Sequence, residues 1–300
     1  MTSAPKPSVL YITGMMRSGS TLVGNILNEV PGVVHVGELH YLWKNLGMAT
    51  GSNAQCGCGA PGAECEFWAP ILDHSIDLGL SAAVVAEQHR HTRVRHTPAR
   101  LARPTPTRAV PELVEQRIAL YRAIHRRTGG SIIVDSSKVP TEPLVFGLGG
   151  DIDFRVLHIV RSPHDTVESY RKPKSYIRRV SPLRTLGYWT SFNIAAEMVM
   201  LRSDIPGMRI RYEDFIRNPQ RGIERILEFM DLPVESPISG DRSVSFGVNH
   251  TITGNPDRFR RGAVEIKSGS APKTVPEHIR RALSMALVAP VALRYGYLKF

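Results

Sequence analysis

Short apolar runs alternate along this chain with segments whose apolar residues recur at helical spacing. Val9 to Thr13 (VLYIT) has the pattern of a buried strand and is closed by Gly14. Ser20 to Val30 follows as a helix, with Leu22, Val23, Ile26, Leu27 and Val30 on one face. Val33 to Val36 is a second strand, ending at Gly37-Glu38, and residues 50–66 are a Gly-rich loop. Pro111 opens a helix whose apolar face carries Leu113, Val114, Ile118, Tyr121 and Ile124, and Gly129-Gly130 ends it. Ser131 to Val134 and Arg155 to Val160 are further strands, ending at Asp135 and Arg161. Ser162-Pro163-His164-Asp165 reads as an N-cap, a proline at N1 and an acid at N3. Leu183 to Arg202 is a long helix, Met208 to Arg211 a strand and Pro219 to Met230 a helix.

Strands alternating with helices imply parallel strands joined by right-handed crossovers, hence an α/β protein with a doubly wound parallel sheet. The pattern runs through nearly all of residues 1–300, which predicts a single domain. Ligands of such sheets bind beyond the carboxyl ends of the strands. Arg17, Glu38, Asp135 to Lys138, Arg161 and Tyr212 all fall just past strand ends, so separate stretches of sequence converge on one edge.

Composition narrows the ligand. The formal charge is +11, which favours an anionic partner without naming it. Much of the basic excess sits within an insertion at about 67–110. There His89 to Arg108 carries six arginines, three histidines and no acid, predicting a helical or mobile exposed segment. No apolar run reaches the roughly 18 residues of a membrane span. The stretch from Ala282 to Leu293 contains Pro290 and reads as a packed helix. An odd number of cysteines, three, argues against a disulfide scaffold, and a cytoplasmic location is expected.

Gly14 to Thr21 (GMMRSGST) lies between the first strand and the first helix, where backbone N–H groups and a helix N-terminus face an anion. The spacing is that of a P-loop, but Ser20 stands where a nucleotide triphosphatase has lysine, and the loop cation is Arg17. A donor with one phosphate and one transferable group suits this better than ATP. Farther along, Arg161 ends a strand and Ser169 lies two helical turns on, about 10 Å along the axis, a second place for an anion.

Together these stretches resemble the sulfotransferases that use 3'-phosphoadenosine-5'-phosphosulfate (PAPS), in particular the bacterial and Golgi-type branch. RSGST at Arg17 to Thr21 matches the family's 5'-phosphosulfate loop, and RSPHDTVESY at Arg161 to Tyr170 matches its 3'-phosphate segment. Arg211 to Phe215 (RYEDF) resembles the segment whose tyrosine lies near the donor, here Tyr212. His250 to Gly262 (HTITGNPDRFRRG) resembles the C-terminal donor loop, with Arg260, Arg261 and Gly262 as contacts. The resemblance covers about residues 9–265. It implies a P-loop-like sulfotransferase fold and donor contacts from Arg17, Ser18, Gly19, Ser20, Thr21, Arg161, Ser169 and Tyr212. It also implies PAPS as donor, with 3',5'-ADP as product.

In-line sulfuryl transfer needs a base for the acceptor proton and cations where charge develops. The resemblance supports Glu38 as base, with His40 as rival. Lys138 and Ser137 are carried over as groups near the bridging oxygen. His35 is expected to be a core residue. The acceptor would be a small molecule, glycan or lipid with a hydroxyl or amine. Two alternatives stand beside this. A P-loop kinase would draw on Asp135 as a Walker-B-like acid, and a basic nucleic-acid-binding protein would draw on His89 to Arg108. That stretch lacks interleaved aromatics, and no nucleic-acid partner is expected. No metal is assigned. Cys56, Cys58 and Cys65 are one short of the four ligands zinc takes, with only His74 or an acid nearby in sequence.

Overall fold

The computed structural model describes residues 6–103, 111–147, 150–171, 180–267 and 288–297. The strands of the main sheet are β1 (Ser8–Thr13), β2 (Val33–Gly37), β3 (Ile132–Lys138), β4 (Asp153–Val160) and β5 (Gly207–Arg211), with order β2-β3-β1-β4-β5 and every pair parallel. Helix α1 (Ser20–Asn28) follows β1. Between β2 and β3 lie α2 (Leu42–Gly47), α3 (Ala69–His74), α4 (Ser81–His91), α5 (Thr97–Ala102) and α6 (Pro111–Arg127). Helix α7 (Glu142–Phe146) follows β3. Then α8 (Pro163–Arg171) and α9 (Pro182–Arg202) link β4 to β5, and α10 (Tyr212–Arg217) and α11 (Pro219–Phe229) follow β5. A two-stranded antiparallel ribbon, β6 (Ser243–Phe246) with β7 (Gly262–Glu265), follows in the C-terminal region.

The expected doubly wound single domain is what forms. Successive side chains of a strand point to opposite faces. Val9 and Tyr11 of β1 therefore join one core with Trp43, Trp68, Leu113, Tyr121 and Phe154, under α2, α3, α4 and α6. Leu10 and Ile12 join another with Val23, Ile26, Leu27, Ile223 and Ile226, under α1 and α11. The helical face expected on α6 is the one that buries. Helix α8 begins as its sequence predicts, with the Asp165 N–H donating to Ser162 Oγ at 3.4 Å.

Two expectations change. First, β3 does not stop at Asp135 but runs on through Ser136 and Ser137 to Lys138. Four polar residues can continue a buried strand because each finds a partner. Ser136 Oγ donates to the Gly37 carbonyl at 3.1 Å, and Asp135 meets Arg117 at 3.2 Å and the Tyr121 hydroxyl at 2.6 Å. Second, the basic stretch from His89 is not simply an exposed insertion. Thr92 and Thr97 are buried, α5 packs on α9 and α7, and Thr97 and Thr141 share a hydrogen bond of 2.7 Å. Its last residues, 104–108, lie outside the described residues. Of the C-terminal apolar stretch, residues 288–293 are described, and they form the packed helix expected, with Val288 and Ala292 fully buried.

The chain after β6 returns to the sheet. Ile252 N–H donates to the Val36 carbonyl at 3.0 Å, and Glu38 N–H donates to the Ile252 carbonyl at 3.2 Å. This extends the ladder past the end of β2. Gly37 is required at the junction. Its φ is 92°, and a Cβ there would stand 2.2 Å from the Ile252 carbonyl oxygen.

Candidate functional site

A cleft of about 610 Å³ opens at the carboxyl ends of β1 to β5. One wall comes from the sheet: Arg17, Gly19, Ser20 and Thr21 after β1, Glu38 after β2, Lys138 at the end of β3, Arg161 after β4 and Tyr212 after β5. The facing wall comes from loops: Asn53, and Gly254, Asn255, Pro256, Asp257 and Arg260. Asn25, Tyr41 and Phe246 are also part of the lining.

The loop after β1 is shaped by left-handed backbone at Arg17 (φ 77°) and Gly19 (φ 95°). Gly19 caps α1 without any side-chain cap, so the first N–H groups of that helix remain available where the helix meets the cleft. Glycine is needed here too, because a Cβ on Gly19 would lie 2.3 Å from the Tyr212 ring. The two anion sites expected from sequence adjoin. Arg161 Nη1 donates to the Arg17 carbonyl at 3.0 Å, and Arg17 Nε donates to Ser169 Oγ at 2.9 Å. The Arg161 guanidinium also stacks 4.8 Å from the Tyr212 ring centre. Among the described residues, its Nε and the hydroxyl of Ser18 are buried without a hydrogen-bond partner, as groups shaped to hold an anion's oxygens would be.

Deeper in the cleft Lys138, itself left-handed at φ 73°, ion-pairs with Glu38 and donates to the Ser136 carbonyl at 3.0 Å. Both side chains are largely buried, and both line the cleft. Beside them the Tyr41 phenol is held well above its usual range, first by burial and then by the charge of Glu38. It is a neutral donor at any ordinary pH.

Other expected residues stand elsewhere. Ser137 Oγ faces away from the cleft, bonded to Asp135 and accepting the His40 N–H at 2.9 Å. His40 turns its ring to Glu142, 2.6 Å away. Asp135 is fully buried against Arg117, Tyr121 and Ser137, so the Walker-B-like acid is not exposed to any cleft ligand. Arg261 reaches back to the carbonyls of Gly57 and Arg258, and Gly262 is an exposed residue at the start of β7. His35 is the core residue expected. It lies between Asn25 and Ser136, and burial, reinforced by Lys138, lowers its pKa to about 3.

Sequence reasoning missed Asn25, Tyr41 and Asn53, and within the His250–Gly262 stretch it named Arg260, Arg261 and Gly262 rather than the Gly254–Asp257 turn. It missed Arg258 as well, which is buried, donates to the Gly254 carbonyl at 2.8 Å and to Asn53 Oδ1 at 2.5 Å, and so sets the loop wall. The Asn255-Pro256-Asp257 string was a turn signal that could have drawn attention to this wall. Outside the cleft, Cys56, Cys58 and Cys65 cluster with His250, whereas His74 is exposed at the end of α3 and not part of that cluster.

No family model matches the chain, and no curated protein sequence matches it. Among solved structures it is similar to the sulfotransferase domain of the curacin biosynthetic pathway, with a TM-score of 0.54 and 17% identity over 94% of this chain and 98% of that one. It is also similar to the sulfotransferase domain of the Synechococcus PCC 7002 olefin synthase, with a TM-score of 0.52 and 18% identity over 97% and 96%. The protein has the sulfotransferase fold. Among the described residues no helix is long and apolar enough to cross a membrane.

Proposed function

We propose that this protein is a sulfotransferase that moves a sulfuryl group from PAPS to the hydroxyl or amine of an acceptor. The observation that carries the reading is the joining of three devices in one cleft. These are the uncapped α1 N-terminus with its Arg17 loop, the Arg17–Arg161–Ser169 chain of contacts, and the Glu38–Lys138 pair. In this reading Arg17 to Thr21 hold the 5'-phosphosulfate, and Arg161 with Ser169 holds the 3'-phosphate. Tyr212 and Arg260 flank the nucleotide. The fit rests on four cleft cations, Arg17, Lys138, Arg161 and Arg260, against two acids, Glu38 and Asp257.

Glu38 takes the acceptor's proton as the new oxygen–sulfur bond forms and the bond from sulfur to the phosphate oxygen breaks. Lys138 steadies the charge that collects on the departing oxygen. Lining the cleft favours Glu38 over His40 as base, because His40 is committed to Glu142. Ser137 has no part at the reacting atoms here; it ties Asp135 to the His40 backbone. PAPS is a co-substrate, and no metal takes part in this reading.

The kinase reading loses its metal-holding acid with Asp135 buried, and none of the basic residues 89–103 lines the cleft. Calorimetric titration with 3',5'-ADP, against ATP with Mg²⁺, tests the proposal. We expect micromolar or tighter binding of 3',5'-ADP, weak binding of ATP, and loss of the former in Arg161→Ala. Preference for ATP, or binding of neither, would overturn it.

A further inference from the structure

We propose that Cys56, Cys58, Cys65 and His250 form a structural zinc site that fastens the loop wall of the cleft to the body of the protein. The ligand atoms of these four residues all lie within 4.8 Å of one another. The sulfurs of Cys56 and Cys65 are 3.4 Å apart and those of Cys58 and Cys65 3.7 Å. The Nδ1 of His250 lies 3.2 Å from the Cys65 sulfur and 3.8 Å from that of Cys56.

These separations fit a metal and not a disulfide. Sulfurs joined in a disulfide are about 2.05 Å apart. A tetrahedral zinc with Zn–S near 2.3 Å and Zn–N near 2.0 Å gives edges of roughly 3.8 Å between sulfurs and 3.5 Å between sulfur and nitrogen. Three thiolates and one imidazole, with no position left open, are a closed structural set of the kind zinc favours over harder metals.

The surroundings suit charged sulfur and an oriented imidazole. Cys56 to Cys65 forms a tight turn closed by the Cys56 N–H to the Ala60 carbonyl at 2.8 Å and the Gly59 N–H to the Cys56 carbonyl at 2.9 Å. Inside it the N–H groups of Cys58 and Ala60 are directed at the sulfurs of Cys56 and Cys58. On the far side of the imidazole, Nε2 of His250 faces the exposed Glu66 carboxylate at 3.8 Å, beyond hydrogen-bond distance. Phe67 stacks on the ring at 5.2 Å, and the Trp68 indole donates to the His250 carbonyl at 2.6 Å.

The placement says what the metal is for. His250 is 185 residues from Cys65 and opens the segment that pairs with β2 and then forms the loop wall. Gly57 N–H donates to the Thr251 carbonyl at 2.8 Å, and Arg261 grips the Gly57 carbonyl. A zinc ion here would join the two segments that carry Asn53 and Gly254 to Arg260. It would lie outside the cleft and touch no cleft-lining residue named above.

Metal analysis of the purified full chain after exhaustive dialysis is the first test, with an expected content of about one zinc per chain. Cobalt exchanged into the same protein should give intense visible bands of a tetrahedral ion and near-ultraviolet sulfur-to-metal bands. Cys58→Ser and His250→Ala should each lose most of the zinc. Removing zinc from the wild type with a chelator should raise amide exchange selectively in segments 52–65 and 249–262. If the wild-type chain holds less than about 0.1 zinc and takes up no tetrahedral cobalt, the site is overturned. A disulfide among the three cysteines in freshly purified protein would overturn it equally. None of these readouts involves nucleotide, so the outcome stands apart from that of the 3',5'-ADP titration.

Discussion

The two walls of the cleft are held in different ways. The sheet wall follows from local chain direction: a strand ends, the backbone turns, and the next residue stands at the edge. Arg17, Glu38, Lys138, Arg161 and Tyr212 reach the cleft by that one rule, repeated along five strands. The loop wall follows from ties between residues far apart in sequence. Asn53 donates to the Gly254 carbonyl at 2.8 Å across 201 positions, and Arg258 returns to Asn53 across 205. A wall built by strand ends is therefore as firm as the sheet, whereas a wall built by long-range ties is only as firm as each tie.

The largest effect is expected behind the sheet wall. Arg117 is fully buried between Trp43 and Phe146, and it faces Asp135 at 3.2 Å and Glu142 at 3.7 Å. Removing one partner of a buried ionic cluster strands the others without compensation, at a cost of about 3–5 kcal/mol. Arg117→Met should lower the urea midpoint by a matching amount or leave no cooperative transition. A change below about 1 kcal/mol would show that the sheet wall does not rest on this cluster. Next in size is Glu38→Gln, which should cut turnover at least about 100-fold while 3',5'-ADP binds as before. Turnover near that of the wild type would return the base to His40 or to solvent. Lost nucleotide binding would make Glu38 a structural partner of Lys138.

The loop wall should respond in the opposite proportion, with binding moving more than stability. Arg258→Met removes the donors to Gly254 and Asn53, and 3',5'-ADP affinity should fall about tenfold, the worth of one or two hydrogen bonds. Thermal unfolding should shift by only about 2–3 °C, because the sheet cores remain intact. A stability loss as large as that of Arg117→Met would erase the contrast between the walls.

The same contrast decides what could be read from sequence. Strand and helix periods, the Ser162-Pro163 start of α8 and the P-loop-like turn are local patterns, and they placed the sheet and one wall. Ser137 was misplaced because alternation along β3 depends on where the strand ends. Once the strand runs on to Lys138, Ser137 points with Asp135 away from the cleft. The short helices α2 to α5 carry no strong period of their own and are fixed by packing, α3 and α4 on α6, α5 on α9 and α2 on α4. His250 falls within the stretch that resembles the C-terminal donor loop and Cys56 within a Gly-rich loop, but nothing local to either names the other.

The smallest effect concerns protons on the sheet itself. His35 of β2 faces Asn25, Ser136 and Lys138, while His158 of β4 faces Asn193 at 2.8 Å, Glu197 at 3.8 Å and Arg209. Burial is the main cause that lowers their pKa values, to about 3 and about 4 respectively, from an ordinary 6.5. Below pH 6.5 the unfolded chain therefore binds protons that the folded chain refuses. Stability from these two groups is complete above pH 6.5 and is lost as the pH falls toward 4, by about 1 kcal/mol per pH unit for each histidine. Glu142 and Glu197, whose carboxyls are held low by Arg117 and by Arg294 and Arg209, add to the loss in the same direction. A variant is needed to isolate the histidine share. His158→Gln cannot take up the proton in either state, so between pH 6 and pH 5 its urea midpoint should fall less steeply than that of the wild type, by about 1 kcal/mol over the interval. Parallel slopes in the two proteins would mean that His158 is protonated while folded, with Glu197 as its partner. Strand β4, inside the sheet, would then carry a charge that its burial disfavours.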